Sequence, residues 1–159
     1  MTGRSGVPSK ARPAAFHSRG TMRHVDADEL RAWCLGQPAA VDDFPFGPAT
    51  SVFKVAGKMF ALSALDRTPL EVSAKCEPEL AVALRATYPA IRPGYHLNKR
   101  HWNTITLDGS LADQFVRDLL EDSYDLVVSA LPKRVRDQLG LAPGAARATA
   151  RESPSRRSR

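Results

Sequence analysis

At 159 residues the chain fits one domain with a modest core, and 43% hydrophobic with 25% charged residues excludes a fibrous or wholly disordered protein. Lys and Arg number 23 against 17 Asp and Glu, a net charge of +6. No stretch approaches the ~20 apolar residues of a membrane span and the amino-terminal stretch lacks the apolar core of a secretory signal, so a cytoplasmic protein without membrane contact is expected.

The charge is unevenly spread. Residues 1–23 contain Arg4, Lys10, Arg12, Arg19 and Arg23 and no acid, while residues 141–159 contain Arg147, Arg151, Arg156, Arg157 and Arg159 against Glu152 alone. These ends carry +5 and +4 and leave −3 for residues 24–140. Both are poor in apolar residues and are expected to be disordered tails. Basic arms of this kind bind phosphates loosely, with strong salt dependence, or act only as solubilising extensions.

A capped helix opens the domain: Asp26 and Glu29 form the box, Val25 staples onto Leu30, and Leu30, Trp33 and Cys34 line one face. Gly36 and Pro38 end it. Val41 to Pro48 is too rich in Pro to be regular. From Ser51 the period changes to two, with Val52 and Lys54 alternating against Phe53 and Val55. Ala56-Gly57 connects this strand to Lys58–Leu65. Asp66-Arg67-Thr68 leads to Leu70–Lys75, where Leu70, Val72 and Ala74 share a face, giving a three-stranded meander.

Pro78 starts a short helix with the stripe Leu80, Leu84 and Tyr88, ended by Pro89. Ile91–Leu97 and Trp102–Leu107 form a second hairpin across the polar connection Asn98-Lys99-Arg100-His101. After Asp108-Gly109, Ser110 and Asp113 start a last helix, whose face of Phe115, Val116, Leu119, Leu120, Leu126, Val127 and Ala130 runs to Pro132. The class is α+β: a two-layer sandwich in the order α-β3-α-β2-α, with helices on one side of an antiparallel sheet.

Two stretches carry a family likeness. Asp42-Asp43-Phe44-Pro45-Phe46-Gly47 with Val52 to Leu62, and then Tyr88 to Asn103 with its run PGYHLNKRHWN followed by Asp122-Ser123-Tyr124-Asp125-Leu126-Val127, resemble the MmcQ/YjbR family. The resemblance covers about Asp26 to Lys133. It implies a fold similar to secretion-chaperone-like and frataxin-like sandwiches, and a DNA-binding role.

The residues support such a role most clearly between Gly94 and Asn103. Lys99 and Arg100 suit phosphates, Asn98 and Asn103 suit base edges or sugars, and Tyr95 or Trp102 can stack on an unpaired base. His96 and His101 belong to the same stretch, Arg92 reinforces its field, and the hairpin carrying these groups would probe a groove as a wing. Lys54 and Lys58, around the first hairpin turn, extend the basic strip. The alternative for Trp102 is burial against the last helix, and for Lys54 and Lys58 an ordinary solvent-facing role.

Other chemistry finds less support. His96 and His101 are five apart and match no metal-ligand signature, and the neighbouring Asp42 and Asp43 are expected to answer Lys54, Lys58 or Arg92. No nucleophile elbow, phosphate-cradling loop or dinucleotide fingerprint is present. Cys34 and Cys76 have neither C-x-x-C spacing nor a disulfide framework, and are expected to be reduced, buried thiols. Ser123 and Tyr124 are expected to pack, with the Tyr124 hydroxyl at the rim.

The expectation is a non-enzymatic protein without cofactor or metal, a monomer or weak homodimer. Two functions of different class are consistent with it. One is a DNA-binding module using residues 94–103 and the basic tails; the other is a protein-binding adaptor or chaperone-like module using the exposed face of its sheet.

Overall fold

The computed structural model describes residues 24–141, so both basic ends lie outside the described residues. Helix α1 (Ala27–Leu35) begins at the expected capping box: Asp26 accepts from the Glu29 amide, and Glu29 accepts from the Asp26 amide. Four strands follow: β1 (Ala40–Asp43), β2 (Thr50–Val55), β3 (Lys58–Ala64) and β4 (Leu70–Lys75). Then come α2 (Pro78–Thr87), β5 (Ile91–Pro93), β6 (Trp102–Leu107), α3 (Asp113–Ala130) and α4 (Lys133–Leu139).

The strands form one antiparallel sheet in the order β1-β2-β3-β4-β6-β5. The expected α+β sandwich is therefore present, with two elements added. Val41 to Pro48 was expected to be irregular, yet Ala40–Asp43 pairs with Val52–Val55 as an edge strand, where the nearby prolines cost no ladder bonds. Beyond Pro132 the chain makes one more helix, α4. It ends at Gly140 with φ 69°, and the Leu141 amide donates to the Arg136 carbonyl at 2.8 Å. Leu141 is buried.

Strand alternation divides the sheet into two faces. Toward the helices point Phe53, Val55, Val72, Ala74, Ile105 and Leu107, packed with Leu30, Leu84, Val116, Leu120, Tyr124 and Val128 in one core. On α2 the buried pair is Ala81 and Leu84, whereas Leu80 is exposed. Leu84 and Tyr88 of the expected stripe thus meet the core, and Ala81 takes the place of Leu80 in the first turn. Helix α3 starts at Asp113, but its cap is Ala112; the Ser110 amide and hydroxyl are both used on Asp108.

The register of β2 with β3 slips at Phe60, where Phe53 pairs with Ala61 and Lys54 with Met59. This bulge leaves Phe60 and Ala61 both fully buried in the helix-side core. On the β4 side the Phe60 carbonyl is answered from the other layer: the buried Ser123 hydroxyl on α3 donates to Phe60 O at 2.6 Å and accepts from the Lys75 amide at 2.8 Å. One side chain thus bridges β3 and β4, whose own pairing spans only Ala61–Ala74 and Leu62–Ser73. Tyr124 beside it meets Phe60 edge-on at 5.3 Å and donates its hydroxyl to Pro38 O at 2.5 Å.

Candidate binding surface on the open face of the sheet

Among the described residues no helix covers the opposite face. Its rows are Asp43 and Val52 from β1 and β2, Leu62 and Ala64 from β3, Glu71 and Ser73 from β4, and Thr104 and Thr106 from β6, by the pairs Val52–Leu62, Leu62–Ser73 and Ser73–Thr104. At its centre the Ser73 and Thr104 hydroxyls bond each other at 2.8 Å.

The segment between β5 and β6 is folded back over this face and does not project as a wing. Only Ile91–Pro93 is strand, because a turn begins at Gly94: Leu97 N–H donates to Gly94 O, and His96 takes φ 58°, the left-handed conformation required at the third position of such a turn. The Tyr95 amide donates to Thr104 Oγ1 at 3.0 Å and pins the turn to the sheet. Lys99 Nζ donates to Gly94 O at 3.1 Å, the Arg100 amide to Asn98 Oδ1 at 2.9 Å, and the Arg85 guanidinium on α2 to the Lys99 carbonyl. The loop is therefore held by its own polar groups.

Between this turn and the loop after β1 lies a hollow of about 440 Å³. Phe46 walls one side and Tyr95, His96 and Leu97 the other; Thr50, Leu62, Ala64, Ser73 and Thr104 form the floor, with Arg67 and Glu71 at the edge. Phe46 is 72% exposed and Tyr95 55%. The Tyr95 and His96 rings lie with centroids 4.0 Å apart and planes tilted by 49°.

The expected contact residues separate into two groups. Tyr95, His96, Asn98, Lys99 and Arg100 are exposed on the loop, and Lys58 is exposed at the β2–β3 hairpin. The others face inward or are neutralised. Trp102 is 8% exposed, yet it lies outside the helix-side core, because alternation places it with Thr104 and Thr106 on the open face. Burial against the last helix is thus corrected to burial beneath the folded-back loop: a Cβ on Gly94 would stand 2.8 Å from Trp102 Cβ. Asn103 is buried, accepting from Arg85 Nε at 2.7 Å. His101 is half-buried, and its carbonyl accepts from the Cys76 amide.

Arg92 reaches Glu71 through both guanidinium ends at 3.0 Å and Thr106 at 3.3 Å. Lys54 pairs with Asp43 at 2.8 Å; that hydrogen bond and the Phe44 amide hold the Asp43 carboxyl below its ordinary range. Asp42 is used on the helix side, by Arg31 at 2.6 Å. Among the described residues no three or more His, Cys, Asp or Glu stand together as a possible metal group. Both cysteines are buried, and burial pushes each thiol above its ordinary value, Cys34 very far.

Periodicity did not single out the hollow's floor. Its one signal is the polar half of the alternation, Glu71-Ser73 against Val72-Ala74 and Thr104-Thr106 against Ile105-Leu107. Phe46 and Arg67, on connections, carry no such signal.

The model of the YjbR family matches residues 35–126. The chain belongs to the YjbR family. The matched span includes every residue lining the hollow. Among YjbR relatives, the chain is 41% identical over 101 residues to the uncharacterized protein YbdF of Escherichia coli O157:H7, covering 64% of this chain and 81% of YbdF. It is 37% identical over 111 residues to the uncharacterized protein YjbR of Escherichia coli strain K12, covering 70% and 94%. The crystal structure of Deinococcus radiodurans protein DR2400, family-model domain DUF419, matches with a TM-score of 0.72 at 40% identity, over 76% of this chain and 91% of that one. A Pseudomonas syringae crystal structure matches with a TM-score of 0.56 at 28% identity, over 64% and 97%. The YjbR fold and family of this chain thus agree. Among the described residues no helix is long and apolar enough to cross a membrane.

Proposed function

We propose that this YjbR protein acts by binding rather than catalysis, and that its ligand is nucleic acid, met by the loop of residues 94–101 and by the basic sequence at both ends. The observation that carries this reading is the exposed set Tyr95, His96, Asn98 and Arg100 on a loop anchored to a sheet. An anchored loop loses little conformational freedom on binding, so its aromatic and cationic groups act at low entropic cost. Arg92, Trp102, Asn103 and Lys54 act as scaffold for that loop and sheet and not as contacts.

The charge distribution supports the reading despite the −3 of the folded part. Helix α3 carries Asp113, Asp118, Glu121, Asp122 and Asp125 against Arg117. The strands and connections between the helices instead hold Lys54, Lys58, Arg67, Lys75, Arg92, Lys99 and Arg100 against Asp42, Asp43, Asp66, Glu71, Glu77 and Asp108. A polyanion approaching the open face thus avoids the acidic surface of α3.

The test is binding of the full chain and of residues 24–141 to single- and double-stranded DNA over a range of salt. Binding by the trimmed chain that weakens in Arg100→Ala, with a salt slope flatter by about one, supports the loop as the contact. Equal affinity of wild type and Arg100→Ala in the trimmed chain removes it.

A second reading, a protein-binding adaptor, is favoured by one observation: Phe46, Tyr95 and Val41 are large, exposed apolar groups on or beside the open face. It predicts binding that is insensitive to salt and lost when Phe46 is truncated.

A further inference from the structure

We infer that the hollow on the open face receives a single unstacked base, so that the protein distinguishes single-stranded from duplex nucleic acid. This rests on the nucleic-acid reading above and names which form of the polymer the site takes.

Shape comes first. A volume of about 440 Å³ falls within the range of sites that enclose a small ligand, roughly 300–1,000 Å³. A base inside a duplex is stacked on both faces and presents only an edge, whereas a base swung out of a single strand can enter a slot between aromatic walls. Phe46 and the Tyr95–His96 pair supply walls on two sides. Stacking of this kind tolerates any base, because each has a π-face.

Chemistry at the floor and edge agrees. The Ser73 and Thr104 hydroxyls are buried, bonded to each other and to the Tyr95 amide, and so make a fixed polar floor beneath the hollow. Thr50 adds another hydroxyl at the lining, and Arg67 stands at the edge, where a phosphate of the entering nucleotide would lie.

His96 supplies an independent observation. It is the third residue of the Gly94–Leu97 turn with φ 58°, a left-handed conformation that His adopts more readily than most side chains, and it turns the ring toward the hollow's lining. Gly at this position would relax the backbone and delete the ring, which separates binding from folding.

The experiment compares a labelled mixed-sequence single-stranded oligonucleotide with the same sequence annealed to its complement, using the full chain at two salt concentrations. The variants are His96→Gly, Phe46→Ala and Thr50→Trp, which fills the hollow without changing charge. The expected result is tighter single-strand binding that each variant weakens about tenfold, as loss of one stacked base does. Duplex binding and salt slope stay as in wild type in Phe46→Ala and Thr50→Trp, and His96→Gly melts no lower than wild type. Equal affinity for both forms, unmoved by the three variants but reduced by Arg100→Ala, overturns the base site and keeps the nucleic-acid reading. Absence of binding to either form at low salt overturns both. Variant-sensitive binding of an aromatic-rich extended peptide, with no oligonucleotide binding, overturns the base site in favour of a peptide groove.

Discussion

The Ser123 hydroxyl donates to the Phe60 carbonyl across the two layers, at 2.6 Å, while accepting from the Lys75 amide at 2.8 Å. The gap between β3 and β4, which exposes a backbone carbonyl and an amide, is closed by one buried side chain. Ser123→Ala leaves a carbonyl and an amide unanswered in the interior. A loss of about 1–3 kcal/mol is expected in urea unfolding, with oligonucleotide affinity of the folded fraction unchanged.

Tyr124 adds a pH dependence. Burial, reinforced by the nearby Asp125 carboxylate, pushes its phenol up to about 12 from the ordinary 10.0. Because the folded value is the higher one, the contribution is whole below pH 10 and is lost as pH rises through 12. Stability should fall across that window in the wild type. In Tyr124→Phe this component should be missing, and the phenolate absorbance step near 12 should disappear from a spectrophotometric titration.

Gly94 and Trp102 pack backbone to backbone. A Cβ at position 94 would meet Trp102 Cβ at 2.8 Å and the Trp102 carbonyl oxygen at 3.0 Å, neither of them the end of a flexible side chain. Gly94→Ala should destabilise the fold by about 1–3 kcal/mol as the loop lifts from the sheet. A changed Trp102 emission, seen against a Trp33→Phe background, is the check; unchanged emission and stability would show that the loop has room to move.

Glu71 neutralises Arg92 from both ends of the guanidinium. Glu71→Gln removes a negative charge at the edge of the hollow and leaves Arg92 with a neutral partner. DNA binding should tighten, and the salt slope should steepen by up to about one as Arg92 becomes a phosphate contact. Weaker binding in this variant would mean that the carboxylate itself touches the ligand.

Lys54 and Lys58 should behave differently although they flank one turn. Lys54 is engaged by Asp43, whereas Lys58 is exposed at the hairpin. Lys58→Ala is expected to lower DNA affinity modestly and Lys54→Ala to leave it unchanged. In Lys54→Ala the Asp43 carboxyl should titrate at higher pH than in wild type, readable by NMR.

What the sequence determined by itself were the properties set by near neighbours in the chain. The capping box at Asp26, the strand period from Ser51, Pro78 at a helix start and the core face Leu70-Val72-Ala74 all follow from local spacing, and so did the α+β class and the family likeness. The concentration of exposed aromatic and charged groups in residues 95–100 was legible for the same reason. Tertiary structure decided the rest. Whether Lys54 and Arg92 are available depends on Asp43 and Glu71, 11 and 21 residues away. Which face hides Trp102 depends on Gly94 and on a turn that folds back onto Thr104. The hollow exists only because β1's loop and the β5–β6 loop, about 50 residues apart, meet over the same sheet face. Alternation can assign a residue to one side of a strand, but only the packed chain determines what comes to cover that side.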